Sequence, residues 1–149
     1  MSATGTKAVE LSEQERDIRV ALAGCYRVVD HIGWSELIFN HITVRVPGPD
    51  RHFLINPYGL WYDEVTASNL VKVNLDGDVI GESEWGINPA GYVIHSAIHE
   101  VVEDAQCVIH IHTTAGMALS CLAEGLRTET IYDAVIDGEF DQPVDIFGA

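Results

Sequence analysis

Basic side chains are scarce in this sequence: 8 Lys and Arg stand against 23 Asp and Glu, a formal net charge of −15 over 149 residues. Nucleic acid and anionic membrane are held by Lys and Arg, so this balance excludes both as partners. Long apolar runs are also missing. None approaches the roughly 18 residues of a membrane span, and Met1 to Thr6 have no leader-peptide character. Cysteine is limited to Cys25, Cys107 and Cys121. An odd count inside apolar segments argues against a disulfide framework and for reduced core thiols in the cytoplasm. With no repeat or low-complexity segment, the length fits a single domain, preceded by a loose tail over residues 1–9.

What the sequence does have is a histidine-bearing strand, Gln106-Cys107-Val108-Ile109-His110-Ile111-His112. Its β-branched apolar character predicts a buried strand emerging into polar sequence at its carboxyl end. Strand side chains alternate faces, so His110 and His112 point the same way. Two neutral imidazoles so placed can grip one divalent cation, and they supply two of the three protein ligands that a catalytic zinc usually takes. Polar residues where a strand leaves the core would show the same pattern.

The remaining elements follow in order. Ser12 and Glu15 form a capping-box pattern. The stripe Ile18, Leu22, Cys25, Val29 and Ile32 predicts a helix that Gly33 stops, with His31 as a cap in its last turn. His41 to Val46 alternates polar with apolar and pairs across Pro47-Gly48-Pro49-Asp50 with Phe53-Leu54-Ile55. Val71 to Leu75 is a further strand, turned by Asp76-Gly77. Asn88-Pro89 starts a helix through Val93, Ile94, Ala97, Ile98, Val101 and Val102, with His95 and His99 four apart on one face. That pair could chelate, but its order is not the His-Glu-x-x-His of a zinc protease, and it ranks below His110 and His112. His41, at a strand start, reads as structural. Thr113 or Thr114 caps a last helix, ended by Gly125. Cys107 and Cys121 lack an adjacent base, and Trp34, Trp61 and Trp85 read as core or interface anchors.

Taken together, Phe39-Asn40-His41-Ile42-Thr43-Val44-Arg45, Phe53-Leu54-Ile55-Asn56-Pro57-Tyr58-Gly59-Leu60, Asn88-Pro89-Ala90-Gly91-Tyr92-Val93-Ile94-His95-Ser96-Ala97-Ile98-His99 and Val108-Ile109-His110-Ile111-His112-Thr113 resemble the class II aldolase/adducin domain, in its adducin-like branch. Several spaced motifs in unbroken order are far more specific than any one of them. The resemblance implies an α/β fold, a three-layer α/β/α sandwich with a mixed central sheet. The carboxyl-terminal part is expected to be missing, the domain covering residues 10–149 and truncated after about residue 126. It also implies a divalent metal, zinc in most members, held by three histidines, of which His110 and His112 match two. In the aldolases an acidic residue is the acid/base, and the metal holds substrate oxygens while a carbon–carbon bond is cleaved. Adducins are cytoskeletal, with a domain regarded as non-catalytic. Asn40 and Gly59 match substrate-pocket positions, and a ring-like homotetramer is the expected assembly.

Three departures from the aldolase pattern matter. The acid/base position is Gly91, so no catalytic residue is assigned there. Two phosphate-holding serines are matched by Pro89 and Ala90, which turns the expectation toward an unphosphorylated oxo- or hydroxy-acid. No histidine follows His112, so a third metal histidine is lacking, and zinc on two imidazoles would be weakly held unless a tail acid such as Asp133, Asp137 or Asp141 completed the shell. A metal-dependent lyase or decarboxylase acting on a small molecule, a non-catalytic adducin-like binding domain, and an inactive remnant all remain open on the sequence.

Overall fold

Ser12 opens the first helix, its Oγ accepting the Glu15 N–H at 3.1 Å, in a computed structural model that describes residues 11–123. The chain divides into two units, residues 1–112 and 113–149. The expected tail over residues 1–9, the boundary near residue 126, Gly125 and the three tail acids lie outside the described residues.

In the first unit, helix α1 (Glu13–His31) buries Leu22, Ala23, Tyr26 and Val29. Gly33, at φ +73°, reverses the chain after it. Two details differ from the sequence reading. Ile32 is exposed, and Tyr26 takes its place in the apolar stripe. Glu15 does not close a capping box either. Its buried carboxylate accepts from Arg19 at 3.0 Å and from Lys72 at 2.8 Å, because a charge taken out of water is tolerated only when paired. Lys72 lies on a strand, so this pair ties the start of α1 to the sheet.

Strands β1 (His41–Arg45), β2 (Phe53–Ile55), β3 (Val71–Val73) and β4 (Cys107–His110) form one sheet in the order β3-β2-β1-β4. The register sets Thr43 opposite Ile55, Leu54 opposite Lys72, and His41 opposite His110. Every pairing among the described residues is antiparallel, so the parallel pair that a mixed sheet requires is not among them. Residues directly opposite share a face, and this sorts the sheet into two cores. Ile42 and Leu54 pack with Leu22, Tyr26 and Val29 of α1, while Phe53, Ile55, Val71 and Val73 form the other face, with Tyr92 against them. Tyr92 belongs to helix α2 (Pro89–Val101). The sheet is thus sandwiched between α1 and α2, the α/β/α layering that the resemblance implies.

Strand β4 is not the buried strand its composition suggested. Among the described residues it sits at the sheet edge, with Cys107 and Ile109 exposed and Val108 and His110 half-buried. Likewise Cys25 is half-buried and Cys107 and Cys121 are exposed free thiols, not core residues. Apolar composition reports affinity for a core, but which strand has a neighbour on both sides is a tertiary matter.

The Tyr26 hydroxyl joins α1 to the sheet. It accepts the Ile42 N–H at 2.9 Å and the Asn56 N–H at 3.2 Å, and its proton is available to the Ile42 carbonyl or to Asn56 Oδ1. Tyr26→Phe leaves two buried N–H groups without this acceptor and should cost about 1.5 kcal/mol. Urea unfolding reads this as a lower midpoint at constant slope; a change under about 0.5 kcal/mol would mean that the backbone finds other partners.

In the second unit, helix α3 (Thr114–Ser120) is capped by Thr113, whose Oγ1 accepts the Gly116 N–H at 3.1 Å. No described helix is long and apolar enough to cross a membrane.

Candidate functional site

The face of the sheet under α2 is where the histidines collect. Register places His41 beside His110, and strand parity puts Thr43 on the same side. Above them α2 begins at Asn88, whose side chain caps Ala90 and Gly91. At its other end Arg45 donates to the Val102 and Ala105 carbonyls, at 2.8 and 2.9 Å, and Arg51 to the Glu100 carbonyl at 2.6 Å. These cations satisfy carbonyls at and beyond the helix end and favour its negative pole, which clamps α2 onto β1.

With both ends held, α2 presents Gly91, His95 and His99 inward, all buried, while Val93, Ile94 and Val101 are exposed. Those aliphatic residues, through which the sequence traced the helix, are therefore not its buried face. The helix is turned the other way because Thr43 and the His41 ring give His95 and His99 hydrogen-bond partners, and a polar group is buried at little cost only when bonded.

The contacts form one continuous series. His112 Nδ1 meets the Glu36 carboxylate, and His112 Nε2 lies 3.0 Å from His110 Nε2. His110 Nδ1 is 3.1 Å from His41 Nε2, and His41 Nδ1 is 2.9 Å from His95 Nε2. Thr43 Oγ1 then joins His95 Nδ1 at 2.7 Å to His99 Nε2 at 2.8 Å. His95 and His99 therefore share a threonine and do not form a chelating pair by themselves. His41, His95 and His110 each offer a ring nitrogen within 4.8 Å of the others.

Gly91 explains how His41 enters this group. A Cβ on residue 91 would lie 2.6 Å from His41 Cδ2 and 2.9 Å from its Nε2. The imidazole thus fills the space that any side chain at 91 would need, the acidic one of the aldolase pattern included.

Burial is the main cause of the ring electrostatics. It pushes His41 down to about 4, helped by the charges of His110 and His112, and His95 down to about 3, helped by its histidine neighbours. His99 falls to about 4 through burial and then the Arg45 charge, and His110 is lowered through burial and then His112. At neutral pH these four rings are uncharged, the form in which imidazole binds metal.

Of the residues expected from sequence, His110 and His112 share a face with both Nε2 atoms converging, His95 joins them through His41, and His99 follows His95 through Thr43. Asn40 is buried nearby. Its Oδ1 accepts the Glu36 N–H, and its Nδ2 has no partner among the described residues. Gly59 stands apart as a turn residue at φ +97°, with no hydrogen bond or ring contact to the histidines among the described residues. Sequence reasoning missed Glu36 and Thr43 and placed His41 as merely structural. The usable signal was parity: His41 and Thr43 alternate on one strand face, and Gly91, His95 and His99 recur every fourth residue on one helix face.

The family described as "Class II Aldolase and Adducin N-terminal domain" matches residues 20–144. Alpha-adducin of Rattus norvegicus is 50% identical over 124 residues, covering 82% of this chain and 17% of that protein. Among solved structures, an aldolase II superfamily protein from Pseudomonas syringae superposes with a TM-score of 0.74 at 52% identity, over 78% of this chain and 48% of the other. L-fuculose 1-phosphate aldolase from Glaciozyma antarctica PI12 gives 0.67 at 34% identity, over 76% of this chain and 48% of that one. The chain spans about half the length of the bacterial relatives it matches, 49% and 45% in two of them. The motif order, the two-sided sheet and the histidines gathered beneath α2 agree with these matches, and the chain belongs to the class II aldolase and adducin family.

Proposed function

We propose that this chain carries the metal-binding half of a class II aldolase-type lyase, acting on an unphosphorylated oxo- or hydroxy-acid by carbon–carbon cleavage or decarboxylation. The observation that carries the reading is the convergence of His110 Nε2 and His112 Nε2 at 3.0 Å. The opposite nitrogens are already engaged, His112 Nδ1 by Glu36 and His110 Nδ1 by His41. A carboxylate only accepts, so Glu36 holds the proton on His112 Nδ1 and leaves Nε2 with its lone pair outward, the orientation a metal ligand needs. The donor set therefore fits a divalent cation such as zinc. When bound, such a cation supplies the Lewis acidity that stabilises negative charge developing on substrate oxygens.

The chain's own residues do the rest. Asn40 Nδ2, buried and without a partner among the described residues, is a donor available to a substrate oxygen. Pro89 and Ala90 give no hydroxyl for a phosphate, which supports an unphosphorylated substrate. A homo-oligomeric assembly belongs to the same proposal.

A second reading, a non-catalytic adducin-like binding domain, is favoured by Gly91, which brings no carboxylate. The two separate in a partial reaction. With zinc added in deuterium oxide, the lyase reading expects hydrogen–deuterium exchange beside the carbonyl of small 2-oxo acids, faster than with zinc alone and lost in His112→Ala. Exchange no faster than free zinc gives would leave the binding-domain reading.

A further inference from the structure

The geometry points to a second, inner cation site, built by His41, His95 and His110 Nδ1 beneath helix α2 and complete within residues 41–110. It shares His110 with the outer pair of His110 Nε2 and His112 Nε2, so a neutral His110 serves one site or the other, and it does not depend on the lyase reading.

The first ground is geometric. Three protein nitrogens about 2.0–2.1 Å from a tetrahedral zinc lie roughly 3.3 Å from one another. Here His41 Nδ1 and His95 Nε2 are 2.9 Å apart, His41 Nε2 and His110 Nδ1 are 3.1 Å apart, and all three residues offer nitrogens within 4.8 Å. An ion that takes the lone pairs of His95 Nε2 and His110 Nδ1 replaces both ring-to-ring hydrogen bonds, and the His41 imidazole turns to give it one nitrogen.

The second ground is the support behind the donors. Thr43 Oγ1 lies 2.7 Å from His95 Nδ1. With the proton on Nδ1, His95 donates to that oxygen and turns the lone pair of Nε2 toward the cluster. Such an outer hydrogen bond is the usual companion of a ligating histidine. Thr43 then gives its own proton to His99 Nε2, 2.8 Å away.

Cobalt(II), which reports tetrahedral nitrogen coordination by its visible absorption, is the probe, with zinc retention after dialysis as a second readout. The purified chain should take up one cobalt with a tetrahedral spectrum. His112→Ala should weaken its affinity by less than about threefold, and His95→Gln, which keeps a hydrogen-bonding side chain, by about a hundredfold or more. Cobalt lost in His112→Ala and kept in His95→Gln would overturn the inner site and leave the outer pair standing. Binding in neither variant nor wild type would remove both. Should His95→Gln fail to fold, long-range proton–nitrogen spectra of the wild type decide. Zinc must move the ring nitrogens of His41 and His95; movement confined to His110 and His112 overturns the proposal.

Discussion

Acidification from pH 7 to pH 4 is expected to remove several kcal/mol of stability, most of it before carboxylates titrate. His41 and His99 are held down to about 4 and His95 to about 3, burial being the largest cause in each, whereas the unfolded chain titrates near 6.5. Between those values the unfolded state binds protons that the folded state refuses, so stability falls as pH falls. The contribution is intact above about pH 6.5 and is lost as pH descends toward the folded values; below them the loss levels off. A single ring at about 4 accounts for about 3 kcal/mol by pH 4. The rings share protons through one series of hydrogen bonds, so the total is less than three times that. It is still comparable with the whole stability of a small domain, about 5–15 kcal/mol. Urea titrations at half-unit pH steps should show the fall between 6.5 and 4.5, with a shallower slope in His99→Gln. A flat profile over that window would mean that the rings are not buried neutral.

Gly91→Ala is expected to destabilise the chain by about 2 kcal/mol, although alanine is the better helix former by about 1 kcal/mol. The opposing effect is steric. The new methyl would lie 2.6 to 2.9 Å from three atoms of the His41 ring, which is buried and bonded on both nitrogens. Forcing an extra carbon into such packing costs toward 3 kcal/mol, so the clash decides the sign. His41→Ala alone should also destabilise, because it strands His95 Nε2 and His110 Nδ1. The double variant should be more stable than the sum of the two losses by at least about 1 kcal/mol, the mark of residues in contact. Additive losses would show that residue 91 does not face His41. The same contact bears on chemistry, because it makes an acidic side chain at 91 and an inward His41 mutually exclusive. The family position and the local geometry thus describe one exchange of groups.

Several features were legible in the chain because they rest on near neighbours. Ser12 and Asn88 cap helices within three residues of themselves, and the alternation through β1 and β2 and their Pro-Gly turn specify a hairpin. The parity of His110 and His112 follows from strand geometry, and the spaced motifs were enough to resemble the family. Other features depend on what lies across the sheet. Which face of α2 is buried was not specified by its periodicity: Val93, Ile94 and Val101 point outward, since Thr43 and His41 offer bonds that only inward histidines can use. The apolar run through β4 promised burial, yet among the described residues the strand lies at an edge. Glu36 meets His112 across 76 residues, a separation at which no local pattern speaks. By itself the sequence determined the elements, their order, the acidic surface and the two facing strand histidines, because each follows from backbone periodicity or composition. The tertiary structure alone decided which polar groups meet: the His41 ring in the space over Gly91, and five histidines joined in one bonded series. Those contacts depend on the register of β1 with β4 and the rotation of α2, which are set by the satisfaction of buried polar groups over long sequence distances.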